Sequence, residues 1–401
     1  MVSVCFYFQV HQPARLRKYS VFEIGHHNNY FDDSKNQFII KKVTNKCYIP
    51  ANNLILDLIN KSDGKFKVAY SLSGLVLEQL EKHSPEVIES FKKLVDTGCV
   101  EMLDETYYHS LSFLYSRQEF IEQVEMHNRK IRELFGCKPK IFRNTELIYN
   151  NEIASQVEKM GYKGILAEGA DHILGWRSPN FIYSPKGTQE ISLMLKNYRL
   201  SDDVAFRFSE KSWSDFPLTA EKFANWVSNI NGNGNVVNLF MDYETFGEHQ
   251  WEDKGIFEFL RHLPDNILQH EDNDFITPTE AIERYKPIAE LDFPHFVSWA
   301  DIERDLSAWL GNRMQQEALR QLYSLEQQVK LTRNNIILDE WRKLQTSDHF
   351  YYMCTKWFND GDVHKYFNPY DSPYEAFITF MNILNDFRIK SNKISEVRIT
   401  P

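Results

Sequence analysis

Apolar residues in this chain cluster in short blocks, with longer stretches of helical period between them. The clearest block is Val236-Val237-Asn238-Leu239-Phe240-Met241, set off by the turn-forming run Asn231-Gly232-Asn233-Gly234-Asn235. A run this short, bounded by such a break, predicts a buried strand. Similar blocks lie at 3–8, 66–71, 100–103, 140–142, 164–167 and 191–195. The stretches 85–96, 117–135 and 151–160 have the period of amphipathic helices, and Gly136 and Gly161 stand at C-cap positions. Strands alternating with helices predict a mostly parallel sheet covered on both faces, and the number of units suggests a barrel. The pattern changes near Pro294. Beyond it, 301–331, 335–344 and 374–387 all read as helical. The expected division is a barrel over 1–294 and a helical region over 295–401.

The strand ends carry the candidate chemistry. The 236–241 run stops in Asp242-Tyr243-Glu244, and the 140–142 block leads through Arg143-Asn144-Thr145 into Glu146. In barrels of this type catalytic groups sit at the C-terminal ends of strands. Two carboxyls so placed are the minimum equipment for glycoside hydrolysis, with helix capping or ion pairing as the plain alternative. His11-Gln12-Pro13 follows the first strand, where His11 is a hydroxyl donor, a general acid, a metal ligand or a partner of a loop carbonyl. In the segment from Gly98, Glu101 falls early in a strand, as a buried supporting carboxylate would. Asp104 and Glu105 read as a solvated loop, and His109 lies beyond the strand end, within reach of substrate. His11, His109, Asp242 and His249 are the candidate metal ligands, yet no HxxxH or HExxH spacing joins them. No metal is therefore expected. Nor is a phosphate loop, a dinucleotide fingerprint or a GxSxG elbow present.

Composition narrows the classes. A formal net charge of -10 argues against a general phosphate-binding surface and so against nucleic acid as a partner. No apolar run reaches membrane-spanning length, and no basic segment precedes the apolar residues 2–10 as in a secretory signal. The five cysteines are scattered without a CxxC pair, which fits a reducing compartment and a cytoplasmic location.

Taken in order, these segments resemble glycoside hydrolase family 57, in its α-amylase-like group. The resemblance rests on His11-Gln12-Pro13, on Gly98 with Glu101, and on Phe142-Arg143-Asn144-Thr145-Glu146-Leu147-Ile148-Tyr149. It continues through Asp242-Tyr243-Glu244-Thr245-Phe246-Gly247, Ser298-Trp299-Ala300-Asp301-Ile302-Glu303-Arg304-Asp305 and Ser347-Asp348-His349-Phe350-Tyr351-Tyr352. It implies an incomplete (β/α)7 barrel followed by a C-terminal α-helical bundle region. The implied reaction is retaining hydrolysis of α-1,4-glucans such as starch, glycogen or maltooligosaccharides, with no cofactor. Glu146 would be the nucleophile and Asp242 the acid/base, its pKa raised by burial, Glu244 and Glu146. His11 would hold a sugar hydroxyl, and Glu101 would orient it or a neighbour. Trp176, beside Arg177, and Trp299 would stack on glucose rings, His109 would meet the substrate, and His349 would reach back from the helical region. Trp309 and Trp341 read as core. A 4-α-glucanotransferase or branching enzyme is the nearest alternative, although Arg143-Asn144-Thr145 stands where those members usually carry an aromatic. A non-catalytic glycan-binding protein is a further alternative, opposed by the presence of both acids. A metal-dependent deacetylase or mannosidase on a related barrel is another. Oligomeric state is left open.

Overall fold

Nine consecutive buried residues open the chain as β1 (Val2–Val10), and near-continuous apolar runs of this kind mark strands covered on both faces. The computed structural model describes residues 2–26, 29–356 and 368–399. The strands that follow are β2 (Val68–Leu72), β3 (Val100–Met102), β4 (Ile141–Arg143), β5 (Gly164–Glu168), β6 (Ser184–Pro185), β7 (Ser192–Lys196), β8 (Val236–Asp242), β9 (Asn273–Phe275) and β10 (Glu290–Leu291). The main sheet runs β3-β2-β1-β8-β7-β5-β4, with β9 pairing the first residues of β1. Every pairing in it is parallel. The sheet curls until its two edges meet at one residue. Asp104 donates its N–H to Ile141 at 3.0 Å and accepts from the Arg143 N–H at 2.8 Å. The seam is pinned by the Asp104 carboxylate, which lies 2.5 Å from His127 Nδ1 and accepts from Tyr162 at 2.5 Å. The result is a seven-stranded barrel. β6 and β10 form a separate small ribbon.

Strand alternation sorts the core. Cys5, Tyr7, Met194 and Phe240 point into the barrel, while Val4, Phe6 and Phe8 pack outward against helices. A third apolar cluster joins the barrel to the C-terminal helices. It holds Phe142, Ile165 and Leu193 from the strands with Trp309, Trp341 and Phe380 from beyond residue 294.

The C-terminal region is helical, but 301–331 is not one run. It is divided into Ser307–Leu310, Arg313–Tyr323 and Glu326–Leu331. Asn312 caps the second of these in a reciprocal capping box with Gln315, which competes successfully with helix continuation. Residues 301–306 are irregular, and Asp301 and Arg304 take left-handed backbone angles. The last helix is Pro373–Ile399. No described helix is long and apolar enough to cross a membrane.

Candidate active site

All seven barrel strands point their C-terminal ends the same way, and register brings polar residues into one ring there. Gln9 pairs with both Ser71 and Asp242, and Glu168 pairs with Lys196. β4 ends in a tight turn, Thr145–Leu147, in which Glu146 has φ 58° and ψ 23°. A left-handed non-glycine residue costs of order 1–3 kcal/mol and persists only where surrounding contacts enforce it. Here they are specific. Trp299 Nε1 donates to Glu146 Oε2 at 2.7 Å, and Ser347 Oγ donates to Oε1 at 2.8 Å. His109 Nε2 lies 3.5 Å from the same Oε1.

Behind His109 stands a chain of buried charges. Its Nδ1 lies 2.8 Å from Glu105 Oε2, which is also 2.8 Å from Arg143 Nη2. Ser71 donates to the other Glu105 oxygen at 2.7 Å. Burial opposes ionisation of Glu105, but Arg143 and His109 outweigh it and hold the carboxyl well below the ordinary range. Burial likewise opposes a charge on His109, and its bonds to Glu105 and Glu146 push it up to about 9. At neutral pH His109 is a cation against Glu146. Burial pushes Glu146 up, yet the His109 charge and the Trp299 donor bring it below its ordinary value.

His11 stacks on His109 with ring centroids 4.0 Å apart. Its Nε2 lies 3.0 Å from Asp348 Oδ2 and its Nδ1 2.7 Å from Ser73 Oγ. Partial burial opposes a charge on Asp348, but its contact with His11 and the nearby His109 keep it ionised, so it accepts. His11 is pushed below its ordinary value by burial and then by His109, and is therefore neutral near pH 7. Its single proton sits on Nε2, which leaves Nδ1 to accept from Ser73.

Asp242 closes β8. Burial, then Glu244, then Glu146 push it up to about 8. Glu244 is itself pushed up to about 7, first by burial, and is bonded by Tyr48 at 2.5 Å and by Gln12 at 3.1 Å. A small cleft opens beside Asp242, lined also by Trp299, Phe240, Phe206 and Lys196. The two acids thus sit in one site with opposite protonation preferences.

Sequence reasoning and structure part at several residues. Glu101 does not reach this site. It accepts from Thr279 N at 2.8 Å and from Thr279 Oγ1 at 2.5 Å, capping the Pro278–Arg284 helix, because its short strand places it toward the opposite end. Asp104 and Glu105 are fully buried and not a solvated loop, since each meets cations or donors from distant segments. His349 turns away to the Lys343 carbonyl at 3.2 Å and lies near Phe380. Its neighbours Ser347 and Asp348 face the site instead. Trp176 is 90% exposed on the loop after β5 and pairs with Arg177 at 5.3 Å, and no described contact links either to Glu146. Arg143, Ser71, Ser347 and Asp348 went unnoticed as contacts of the site. The motif around His349 was the available signal for the last two. Among the described residues, no group of three or more His, Cys, Asp or Glu side chains is placed to hold a metal ion.

Residues 5–294 match the model of glycosyl hydrolase family 57. The chain belongs to that family. A Methanocaldococcus jannaschii protein provisionally named alpha-amylase is 46% identical over 401 residues, with 96% of this chain and 84% of that protein covered. A Pyrococcus furiosus alpha-amylase is 22% identical, covering 62% of this chain; the chain spans only 37% of that protein's length. Among solved structures, a family 57 branching enzyme of Thermococcus kodakaraensis superposes with TM-score 0.73 at 14% identity, covering 100% of this chain and 92% of that one. The 4-alpha-glucanotransferase of Thermococcus litoralis gives 0.68 at 16% identity, covering 87% and 56%. These likenesses show the barrel with its helical region. The family 57 chain is accordingly a glycoside hydrolase, in a family that works with retention.

Proposed function

We propose that this chain cleaves α-1,4-glucans with retention, using Glu146 as nucleophile and Asp242 as acid/base. The observation that carries the reading is the split in protonation. Asp242 is pushed up to about 8, while Glu146 is held below its ordinary value. At neutral pH one carboxyl offers a proton and the other an electron pair, the division that retaining hydrolysis needs.

In the first step a Glu146 oxygen bonds to the anomeric carbon. The bond to the leaving oxygen breaks, and that oxygen takes the Asp242 proton. In the second, the Asp242 carboxylate takes a proton from water while the water oxygen bonds to the anomeric carbon and Glu146 leaves. His109 stabilises the carboxylate before attack and after release. His11, fixed by Asp348 and Ser73, is placed to bond a sugar hydroxyl on the same side. Trp299 has its N–H engaged by Glu146, so its ring edge, more than its face, serves the nucleophile.

Residues 1–294 are the catalytic barrel in this reading, and 295–401 complete the cleft. Support comes from Trp299, Ser347 and Asp348, which reach Glu146 and His11 from the second part. Five free thiols fit a cytoplasmic setting.

The test is a product profile. Wild type and Glu146→Gln are incubated with one maltooligosaccharide, and products are separated by length. Shorter products only, lost in the variant, are expected. Longer products beside shorter ones would make the enzyme a transferase through the same intermediate. Binding without turnover in wild type would overturn the catalytic reading.

A further inference from the structure

Ser73 caps the helix Gly74–His83 and also bonds His11, so the start of this helix belongs to the active site. Leu75, Glu78, Gln79 and Lys82 follow at three- and four-residue steps, which puts them on one face. That face borders a pocket which neither acid, nor His11, nor His109 lines. The helix Asp33–Val43 supplies another wall through Asp33 and Asn36, and Ala14 and Phe31 add apolar surface. The volume is about 120 Å³, a little under the roughly 150 Å³ of a cavity that encloses benzene. Asp33 and Lys82 are exposed, so one side stands open to water. The space therefore fits one face of a six-membered ring, with the other face outside.

The lining is polar without being charged overall. Asp33 pairs with Lys82 at 3.2 Å and Glu78 with Lys343 at 3.3 Å, acid matched to cation each time. His83, which also lines the pocket, is pushed below its ordinary value by burial and then by Lys82, and is neutral near pH 7. An ionic ligand finds no excess of opposite charge, whereas hydroxyl groups find acceptors in both carboxylates. A donor is present too. Asn36 is only 4% exposed, and its Oδ1 accepts from the Arg15 N–H at 3.0 Å. Among the described residues nothing accepts from its Nδ2, although side chains buried this deeply ordinarily have their polar atoms bonded. Since Asn36 lines the pocket, that donor opens onto it. Gln79 donates to the carbonyls of Gln12 at 2.7 Å and Pro13 at 3.4 Å, while the Gln12 side chain bonds Glu244. Pocket and active site thus share the segment 11–15.

We propose that this pocket is a second sugar site, which holds one neutral pyranose ring of a glucan outside the active site, with Phe31 against its C–H face and Asn36 Nδ2 donating to a hydroxyl. The choice of an α-glucan rests on the function proposed above; the neutral, hydroxyl-bearing ring follows from the pocket itself. A pyranose carries C–H groups on its faces and hydroxyls around its edge, which matches an aromatic ring set among amides and carboxylates. Its C–H face gains dispersion contact and burial against Phe31. A polymer anchored here meets the active site at a raised effective concentration, so the site serves long glucans and leaves short ones unaffected.

Methyl α-D-glucoside is titrated into wild type and the side-chain amide resonance of Asn36 is followed by NMR. A saturable shift, weakened in Phe31→Leu, is expected; no shift would overturn the proposal. Glycogen affinity is then read from retardation in native gels for Asn36→Asp and Phe31→Leu, in a Glu146→Gln background that leaves the polymer uncut. Asn36→Asp keeps the acceptor for Arg15 and loses the donor, and Phe31→Leu keeps apolar contact with the cluster of Leu75 and Tyr107 and loses the flat face. Each is expected to weaken retention about fivefold, while the same changes in the active enzyme leave kcat/KM on maltotriose within about twofold. Unchanged retention in both variants would overturn the proposal, and so would equal losses on glycogen and maltotriose, which mark a structural role. A wild type that turns over no maltooligosaccharide would remove the α-glucan reading, and the glucoside titration would still decide this site.

Discussion

On the proposed mechanism, Asp242 and Glu146 set the pH behaviour of the enzyme. That mechanism needs Glu146 ionised and Asp242 protonated, so kcat/KM is expected to rise on an acid limb below the ordinary glutamate value of 4.5 and to fall above about 8. Asp242→Asn should lower kcat by about 10²–10⁴-fold and abolish the alkaline limb, measurable in a pH–rate profile. Trp299→Phe removes the donor to Glu146 and should move the acid limb upward. The same raised pKa bears on stability. The folded state holds the Asp242 proton more tightly than the unfolded chain, so its contribution is full below 3.8 and is lost as pH rises through about 8. Asp242→Asn should flatten the fall in Tm over that window, as thermal denaturation at several pH values would show. Both acids were legible because an apolar run breaking into a carboxylate is a local pattern. Glu105 was not. Its partners Arg143 and Ser71 lie on other segments, and His109 four residues on does not by itself distinguish a buried ion pair from a solvated acid.

At the scale of elements, helices and strands followed from period, and the 117–135 helix agrees with Arg117–Phe135 to the residue. Phase did not follow. In the Ser347–Tyr351 helix each residue advances about 100°, so the segment that holds His349 turns Ser347 and Asp348 to the site and His349 to the core. Nor does a three-residue strand reveal which end of a barrel its middle residue faces, which is why Glu101 read as a site residue. As a cap of the Pro278–Arg284 helix it has a stability role. Glu101→Ala should cost about 1–3 kcal/mol in denaturant unfolding, through unpaired Thr279 groups in the first turn of a helix that Thr277 still caps, with kcat near wild type.

For the molecule as a whole, the alternation of blocks showed a barrel and the change near Pro294 a helical region. The seam did not show. It depends on Asp104 meeting β4, a contact between residues far apart in sequence. The apolar cluster shared by Phe142, Ile165, Trp309, Trp341 and Phe380 makes barrel and helices one cooperative unit. A chain cut at 294 is expected to expose the barrel side of that cluster and to lose fixed tertiary structure, read by near-UV circular dichroism and dye binding. The intact chain should unfold in a single calorimetric transition.

The clamp on Glu146, the proposed nucleophile, has a consequence in time. Glu146 receives its hydrogen bonds from Trp299 and Ser347, more than 150 residues later in the chain. If Glu146 is the nucleophile, a nascent polypeptide that has already emerged past both acids is expected to be catalytically inert. On the same reading, competence arrives only when the segment from Trp299 onward docks, so recovery of activity during refolding should trail the appearance of secondary structure.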